Sequence, residues 1–249
     1  MKLANIVPDH ALWLIPSQTY HLELAPHLLS NVKRKLWLRS RHERGDFIIL
    51  DNGASEVFSG EIKEMPAFHE IVSLANEIGA DEVCLPDKLG DWGATGYLHL
   101  THAPEVEPRR RMVIPQGENP AEWLSCLHKW ISGGLEFRSV GVPKWLERFP
   151  NGRQAVLNKV LTYTDWWRKY DFHLLGVWRD PRELLLGREF PWLRGCDTGA
   201  AMAWAQAGAP IDLPIPDKHF SLQWGADVPF NDRFAEHNMV TLREWARGH

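Results

Sequence analysis

The sequence predicts an α/β fold, a (β/α)8 TIM-type barrel that forms a single domain over residues 1–249. Seven apolar runs of strand length recur along the chain, and most are separated by a helical run, which is the spacing of βαβ units. The strand-like runs are continuously apolar, so the sheet should be buried on both faces. Neither a P-loop nor a dinucleotide-binding glycine pattern is present, and this favours a barrel, regular or irregular, over an open doubly wound sheet.

The predicted strands are short apolar runs that stop at proline, glycine or a polar residue. Those with clear bounds are residues 11–16, 47–50, 82–86, 112–115, 140–143 and 172–177. An eighth strand is not visible in the pattern. Residues 209–249, which contain several Pro and Trp residues, either supply this last barrel element or form a C-terminal extension over the surface.

The predicted helices have apolar residues three and four positions apart, which places those residues on one helical face. They cover residues 22–38, 65–79, 119–131, 153–169 and 200–207, with a further short helix at Asp180-Pro181. Pro120 suits the first turn of a helix, and Gly79 and Gly208 suit helix ends. Residues 97–100 fit a helix or a strand.

The composition, with 44% hydrophobic and 24% charged residues, is that of an ordinary globular protein. A net charge of −4 gives no overall attraction to nucleic acid, so such binding would need a local patch. The three cysteines have no paired spacing, which argues against a disulfide framework and favours a reducing cytoplasm. No apolar run approaches the roughly 18 residues of a membrane span, so we expect a soluble protein that is not exported and does not bind membranes.

Polar side chains follow four of the apolar runs. In chain order they are Asp51, Asp87, Gln116 and, after a short segment beyond residue 177, Asp197. The C-terminal ends of parallel strands share one face, so these side chains should meet there. A single strand-end Asp is more often a helix cap or a turn former. The recurrence favours function, because carboxylates brought together cost free energy, and we predict Asp197 as the nucleophile.

A basic stretch lies at the far end of the first predicted helix, where only one acid, Glu43, accompanies the cations. Its members include Arg34, Lys35, Arg39, Arg41 and Arg44. One interpretation is a solvated helix end with cations near the negative end of the dipole. The other is a patch that contacts phosphates, with Arg109–Arg111 as further candidates.

Carboxylates together with an amide suit chemistry at the anomeric carbon of a glycoside. One carboxylate can attack C1′ while a second manages protons. An Asp beside a Gln can bind the edge of a purine, because Asp accepts from N–H groups and Gln donates to a carbonyl. This chemistry needs no cofactor. The twelve histidines form no His-x-x-x-His or other ligand pair, so we expect no metal.

The order of these residues resembles the tRNA-guanine transglycosylase superfamily, above all its short relatives that install 7-deazaguanine bases in the DNA of bacteria and phages. The resemblance covers about residues 47–201. It is carried by Leu50-Asp51-Asn52-Gly53-Ala54, by Asp87, by Pro115-Gln116-Gly117, by Val140-Gly141-Val142, by His173-Leu174-Leu175-Gly176-Val177 and by Asp197.

The resemblance implies a role for each matched residue. Asp197 would be the nucleophile and Asp51 a general acid/base. The base would be bound by Asp87, Gln116, Gly141, Gly176 and Asn52. Two departures are visible: Ser55-Glu56 replaces an aromatic residue and Gln, and the Cys-x-Cys-x-x-Cys zinc site of the tRNA enzymes is absent. The short chain and the missing zinc site favour DNA over tRNA as the polymer.

We therefore expect a cytoplasmic transglycosylase that exchanges guanine for a free 7-deazaguanine base in a polynucleotide, through a covalent glycosyl-enzyme. Arg34, Lys35, Arg39, Arg41 and Arg44 would contact phosphates. Two alternatives stay open at this point. One is a hydrolase that cleaves nucleosides or nucleotides with the same carboxylates, and the other is a non-catalytic nucleic-acid-binding barrel.

Overall fold

The structure, a computed structural model, describes residues 1–162, 165–177, 181–212, 220, 222–223 and 228–247, with the backbone alone at 165, 166 and 181. The chain divides into two compact units. The central unit is Leu22–His173, and the terminal unit is Met1–His21 with Leu174–His249. That both belong to one domain over residues 1–249 stays a prediction.

One parallel sheet contains eight strands. They are β1 (Lys2–Asn5), β2 (Tyr20–Leu24), β3 (Phe47–Asp51), β4 (Glu82–Cys84), β5 (Arg111–Val113), β6 (Ser139–Val142), β7 (Asp171–Leu174) and β8 (Leu193–Thr198). From β2 to β8 each strand neighbours the next one in the chain, and β1 neighbours β8. This is the strand order of a (β/α)8 TIM-type barrel, so the predicted fold class is confirmed.

The helices alternate with the strands along the described chain. They are α1 (Ala25–Leu28), α2 (Val32–Glu43), α3 (Ala54–Ser59), α4 (Phe68–Ile78), α5 (Trp92–His102), α6 (Pro120–Ser132), α7 (Gly152–Thr162), α8 (Leu186–Glu189), α9 (Ala200–Gln206) and α10 (Asp232–Arg247). Short 3-10 helices include Asp9–Leu14, Lys144–Arg148, Asp165–Lys169 and Pro181–Leu185.

The core of the central unit follows directly from the sequence pattern. Ile48, Ile49 and Leu50 of β3 are all fully buried, as continuous apolar strands predict. The apolar face of α4 is buried in the same unit, at Ile71 and Ile78 among others. The predictions for β3 to β7, α4, α6 and α9 are confirmed to within a few residues, and residues 97–100 belong to α5.

The first predicted strand, residues 11–16, is wrong, because Asp9–Leu14 is a 3-10 helix. Ala11 and Ile15, four positions apart, are buried, whereas Trp13 between them is 52% exposed. That burial has a helical period, which a uniformly apolar run does not reveal.

The helix predicted over residues 22–38 is only partly correct. Its first residues belong to β2, in which all five residues are buried. Ala25 then begins α1, with Pro26 in its first turn, and the main helix, α2, starts at Val32. Leu22 and Leu24, two positions apart, fit a strand, whereas Leu24, Leu28 and Val32, four positions apart, also fit a helix.

The C-terminal region supplies no strand among its described residues. Its described helix, α10, packs on α9 and buries Met239, Leu242 and Trp245. Besides β2, the pattern missed β1 and β8, which pair with each other in parallel. The helix predicted over 153–169 ends as α7 at Thr162, before the 3-10 helix Asp165–Lys169. Of the short helix predicted at 180–181, residue 180 lies outside the described residues, and Pro181 begins a 3-10 helix.

A histidine without hydrogen bonds is buried between α5 and α6. His99 is fully buried against the ring of Trp130, with 4.3 Å between the ring centroids. Neither ring nitrogen has a hydrogen-bond partner among the described residues. Burial therefore lowers the pKa of His99 to about 3.

Protonation of His99 should couple stability to pH. The unfolded chain takes up this proton near pH ~6.5 and the folded chain does not, so stability is lost as pH falls below that value. His99→Phe cannot take up this proton. The difference in the free energy of unfolding between His99→Phe and the wild type should therefore favour the variant by about 2 kcal/mol more at pH 5 than at pH 7. Urea unfolding at both pH values measures it, with the exposed His69→Phe as control. An unaltered pH dependence in His99→Phe would contradict the assignment.

Candidate active site

Asp87 is the centre of a buried hydrogen-bond network in the central unit. Its carboxyl group is 5% exposed and lies just past the end of β4. Asn52 Nδ2, just past β3, donates to Asp87 Oδ1 at 3.0 Å. Gln116 Nε2, just past β5, donates to Asp87 Oδ2 at 2.7 Å. The parallel strands therefore bring three of the predicted site residues together, as the strand-end argument requires.

The side-chain oxygen of Gln116 is also hydrogen-bonded. Its Oε1 accepts from the indole Nε1 of Trp145 at 2.8 Å and from the backbone N–H of Gly90 at 3.2 Å. Trp145 lies in the 3-10 helix that follows β6, and Gly90 lies in the segment after β4. The amide plane of Gln116 is thus fixed, with its NH2 group towards Asp87.

A tight turn at the end of β3 positions Asp51 and Asn52. Asp51 Oδ1 accepts from the N–H of Gly53 at 2.8 Å, and Asn52 Oδ1 accepts from the N–H of Ala54 at 2.7 Å. Gly53 has φ +84°, and a Cβ there would lie 2.6 Å from Pro26. Only glycine fits this conformation and this space, so the turn explains the Asp-Asn-Gly sequence.

Burial is the main electrostatic effect in this network. It raises the pKa of Asp87 to about 7, and the charge of Asp51 acts in the same direction, whereas the N–H groups of Asn52 and Gln116 act against it. Glu56, in the first turn of α3, behaves similarly. Burial and the charge of Asp51 raise the pKa of Glu56 to about 7. Asp51 is therefore within electrostatic reach of both carboxyl groups.

Asp197 lies in the terminal unit, within β8 and not at the end of the run 172–177 as predicted. It is 3% exposed, and its Oδ1 accepts from the backbone N–H of Gly176 at 3.0 Å. Its own carbonyl accepts from the N–H of Val177 at 2.9 Å. The structure therefore joins two predicted site residues, Asp197 and Gly176.

The sequence hid β8 because its residues are small or polar. In register with β1, Asp197 lies opposite Ala4. A Cβ at Gly195 would lie 2.6 Å from the hydroxyl of Tyr20, so a larger residue would clash there. Pairing with β1 thus defines this strand, and a test for apolar runs does not detect it.

Two parts of the predicted site stay predictions. Gly141 is buried within β6, and its contact with a base is untested. A common pocket for Asp197 with Asp51, Asp87 and Gln116 is also untested, since they belong to different units.

The basic stretch is not the free patch that the sequence suggested. Arg34 is 4% exposed and donates from Nη2 to Glu23 at 2.6 Å, and Arg41 is 7% exposed and pairs with Asp46. The prediction that these two contact phosphates is wrong, because their guanidinium groups are buried against carboxylates. Lys35 pairs with Glu77 at 3.1 Å.

Arg39 and Arg44 are exposed, but their position argues against contact with a nucleotide beside Asp51. Arg39 lies late in α2 and Arg44 follows it, so both precede the start of β3 at Phe47. Asp51 is at the other end of that strand, roughly 13 Å away at 3.3 Å per residue. Their role in binding phosphate stays a prediction. Arg109 and Arg110 likewise line a cavity of about 300 Å³ at the N-terminal ends of the strands, beside Glu82 and Arg138.

Sequence reasoning missed two residues of the site. Trp145 went unnoticed although it lies two residues after a predicted strand, which was the available signal. Glu56 appeared only as a departure from the family pattern. Its partial burial and its electrostatic interaction with Asp51 depend on how α3 packs, and no sequence pattern reports that.

The described residues hold no cluster of three or more His, Cys, Asp or Glu side chains that could bind a metal ion. None of their helices is long and apolar enough to cross a bilayer. No protein-family model matches the chain, and a search of curated proteins finds no match. The chemistry of the site therefore has to be argued from its residues.

Two arginines of the basic stretch should differ sharply in their effect on stability. Arg34→Ala leaves Glu23 buried without its cation and should lower the free energy of unfolding by about 3–5 kcal/mol. Arg39→Ala removes only an exposed pair with Glu43 and should cost less than about 1 kcal/mol. Urea unfolding of both variants measures this. Equal losses of stability would show that the buried Glu23–Arg34 pair contributes no more than the exposed Arg39–Glu43 pair.

Proposed function

We propose that the protein is a base-exchange transglycosylase that replaces guanine with a 7-deazaguanine in a polynucleotide, through a covalent bond between Asp197 and the sugar. DNA is the preferred polymer and tRNA the alternative. The observation that carries the proposal is the buried Asp87–Gln116 pair, at 2.7 Å, with Asp51 in electrostatic reach. Such a pair presents acceptors and a donor side by side, which is what the edge of a guanine requires.

The hydrogen bonds of the pair leave room for a base. Each carboxylate oxygen of Asp87 accepts one N–H in the network, and each has a second lone pair. These lone pairs suit the two adjacent N–H groups on the edge of guanine. Gln116 Nε2 uses one N–H on Asp87, and its second N–H suits the neighbouring carbonyl. Trp145 and Gly90 prevent the amide from turning over.

The reaction divides between two carboxylates. The Asp197 carboxylate attacks C1′, the bond from C1′ to the guanine nitrogen breaks, and its electron pair stays on the guanine, which takes up a proton. The incoming 7-deazaguanine then loses a proton, its nitrogen attacks C1′, and Asp197 is released. Asp51 manages both proton transfers. The N–H of Gly176 holds one oxygen of Asp197, which orients the nucleophile.

One observation favours a second candidate, a hydrolase acting on small nucleosides or nucleotides. Arg34 and Arg41 are buried in ion pairs and do not serve a polymer. The two candidates differ in salt dependence, because a polynucleotide substrate loses affinity steeply as salt rises.

Replacing the nucleophile should abolish exchange without unfolding the protein. Asp197→Asn cannot form the covalent bond, so the exchange rate should fall roughly a thousandfold or more. This corresponds to a barrier raised by about 4 kcal/mol. The assay follows labelled guanine or 7-deazaguanine in DNA and tRNA, with thermal unfolding alongside. The exposed Asp232→Asn in the terminal unit is the matched control. Near-normal exchange in Asp197→Asn would refute the proposal.

Binding of the base should depend on pH through Asp87. A base that donates to Asp87 needs the ionised carboxylate, and the pKa of that group is about 7. Affinity for a free 7-deazaguanine should therefore be level above pH 7 and fall towards tenfold per pH unit below it. Calorimetric titrations between pH 5 and 8.5 measure this. Glu56→Gln should keep this pH dependence. An affinity that does not change between pH 5 and pH 7 would contradict the assignment.

A further inference from the structure

Glu56 has a buried oxygen without a hydrogen bond beside the proposed site. The turn at Gly53 leads directly into α3, whose first turn contains Glu56. The side chain is half-buried, and its Oε2 is buried with no hydrogen-bond partner among the described residues. A charged carboxylate in that position would be poorly stabilised, because neither water nor a donor reaches that oxygen.

The Asp51 carboxyl group is stabilised by a backbone donor. Its Oδ1 accepts the N–H of Gly53 at 2.8 Å, and a donated N–H stabilises the charged form of a carboxyl group. When two carboxyl groups interact, one proton shared between them goes to the group whose charge is less well stabilised. The burial of Oε2, which has no partner among the described residues, therefore puts the proton on Glu56 and leaves the charge on Asp51.

The surrounding charges do not reverse this assignment. Lys144, which follows β6, is exposed and favours the charged form of Glu56, and Glu61 opposes it. Glu61 itself lies 3.6 Å from His27. A backbone hydrogen bond of Glu56 also favours its charged form. Burial and the charge of Asp51 outweigh this hydrogen bond and Lys144 together, so the pKa of Glu56 rises to about 7. Glu56 is thus mostly protonated below pH 7 and loses its proton as pH rises above that value.

We infer that Asp51 and Glu56 form a carboxyl pair that holds one proton, stored on Glu56 and passed through Asp51 to the leaving base. The incoming base returns a proton to the pair, so the exchange involves no net change in protonation. Glu56 is then a positioning residue that acts through Asp51. The pair itself is inferred from the structure alone, and only its part in exchange rests on the proposed function.

Infrared difference spectroscopy tests the pair without any substrate. Glu56→Gln should remove a carboxylic-acid carbonyl band that the wild type shows at pH 6 and loses towards pH 8. Asp51→Asn should lower the midpoint of that band by about one pH unit or more, because it removes the neighbouring charge. Glu64→Gln, which replaces another exposed carboxylate that is not among the charges acting on Glu56, should change neither. An unchanged band in Glu56→Gln overturns the inference, and so does an unchanged midpoint in Asp51→Asn. If Glu56→Gln does not fold, the result for Asp51→Asn still decides.

Exchange kinetics test the part of the pair in the reaction. Wild-type exchange should fall above about pH 7, where the pair has lost its proton. Glu56→Gln should lower the exchange rate at pH 6.5 about a hundredfold while base affinity stays the same, and Glu56→Asp should restore part of the rate. A normal rate and pH profile in Glu56→Gln would overturn this role. If wild type exchanges no base, the proposed function fails while the infrared result still decides the pair.

Discussion

The burial of the Asp87 carboxyl group is the constraint on which the rest of the central unit depends. A buried carboxylate is tolerated only with donors close by, and Asn52 and Gln116 supply them from the ends of the adjacent strands. Asn52 also donates to the carbonyl of Leu85, and Trp145 closes the network from beyond β6. Side chains therefore join the ends of β3 to β6 in the same order as the backbone pairs them, and four strand ends are held in one arrangement.

The same network explains why the site is suited to chemistry. Two N–H donors do not fully offset the burial of Asp87, and its pKa stays near 7, where ordinary carboxyl groups are fully ionised. Glu56 titrates in the same range for the same reason. Carboxyl groups that exchange protons near neutral pH are what general acid/base catalysis needs. The opposite ends of the strands carry ion pairs between oppositely charged side chains. Arg41 pairs with Asp46, and Arg138 pairs with Asp171, as expected at the end of a barrel that contributes to stability.

In the terminal unit, Asp197 is held by main-chain groups on both its carboxylate and its carbonyl. The segment after β7 donates from Gly176 to the first and from Val177 to the second. Thr198 also donates from Oγ1 to the carbonyl of Val177. A nucleophile attacks efficiently only when its oxygen is oriented, and a backbone donor orients it at little entropic cost. The arrangement therefore supports the role proposed for Asp197 on grounds independent of the family resemblance.

The sequence by itself determined the buried strands β3, β4 and β5 and the polar residues that follow them. A strand covered on both faces must be apolar throughout, and where it ends polar residues such as Asp51, Asp87 and Gln116 can follow. Only the tertiary structure decided the rest. β1 and β8 are partly polar, and their pairing with each other helps to define them as strands. The charge of Arg34 is neutralised by Glu23, and the pKa of Glu56 is raised by its burial and by the charge of Asp51. Each of these depends on a partner whose position in space the local pattern does not encode.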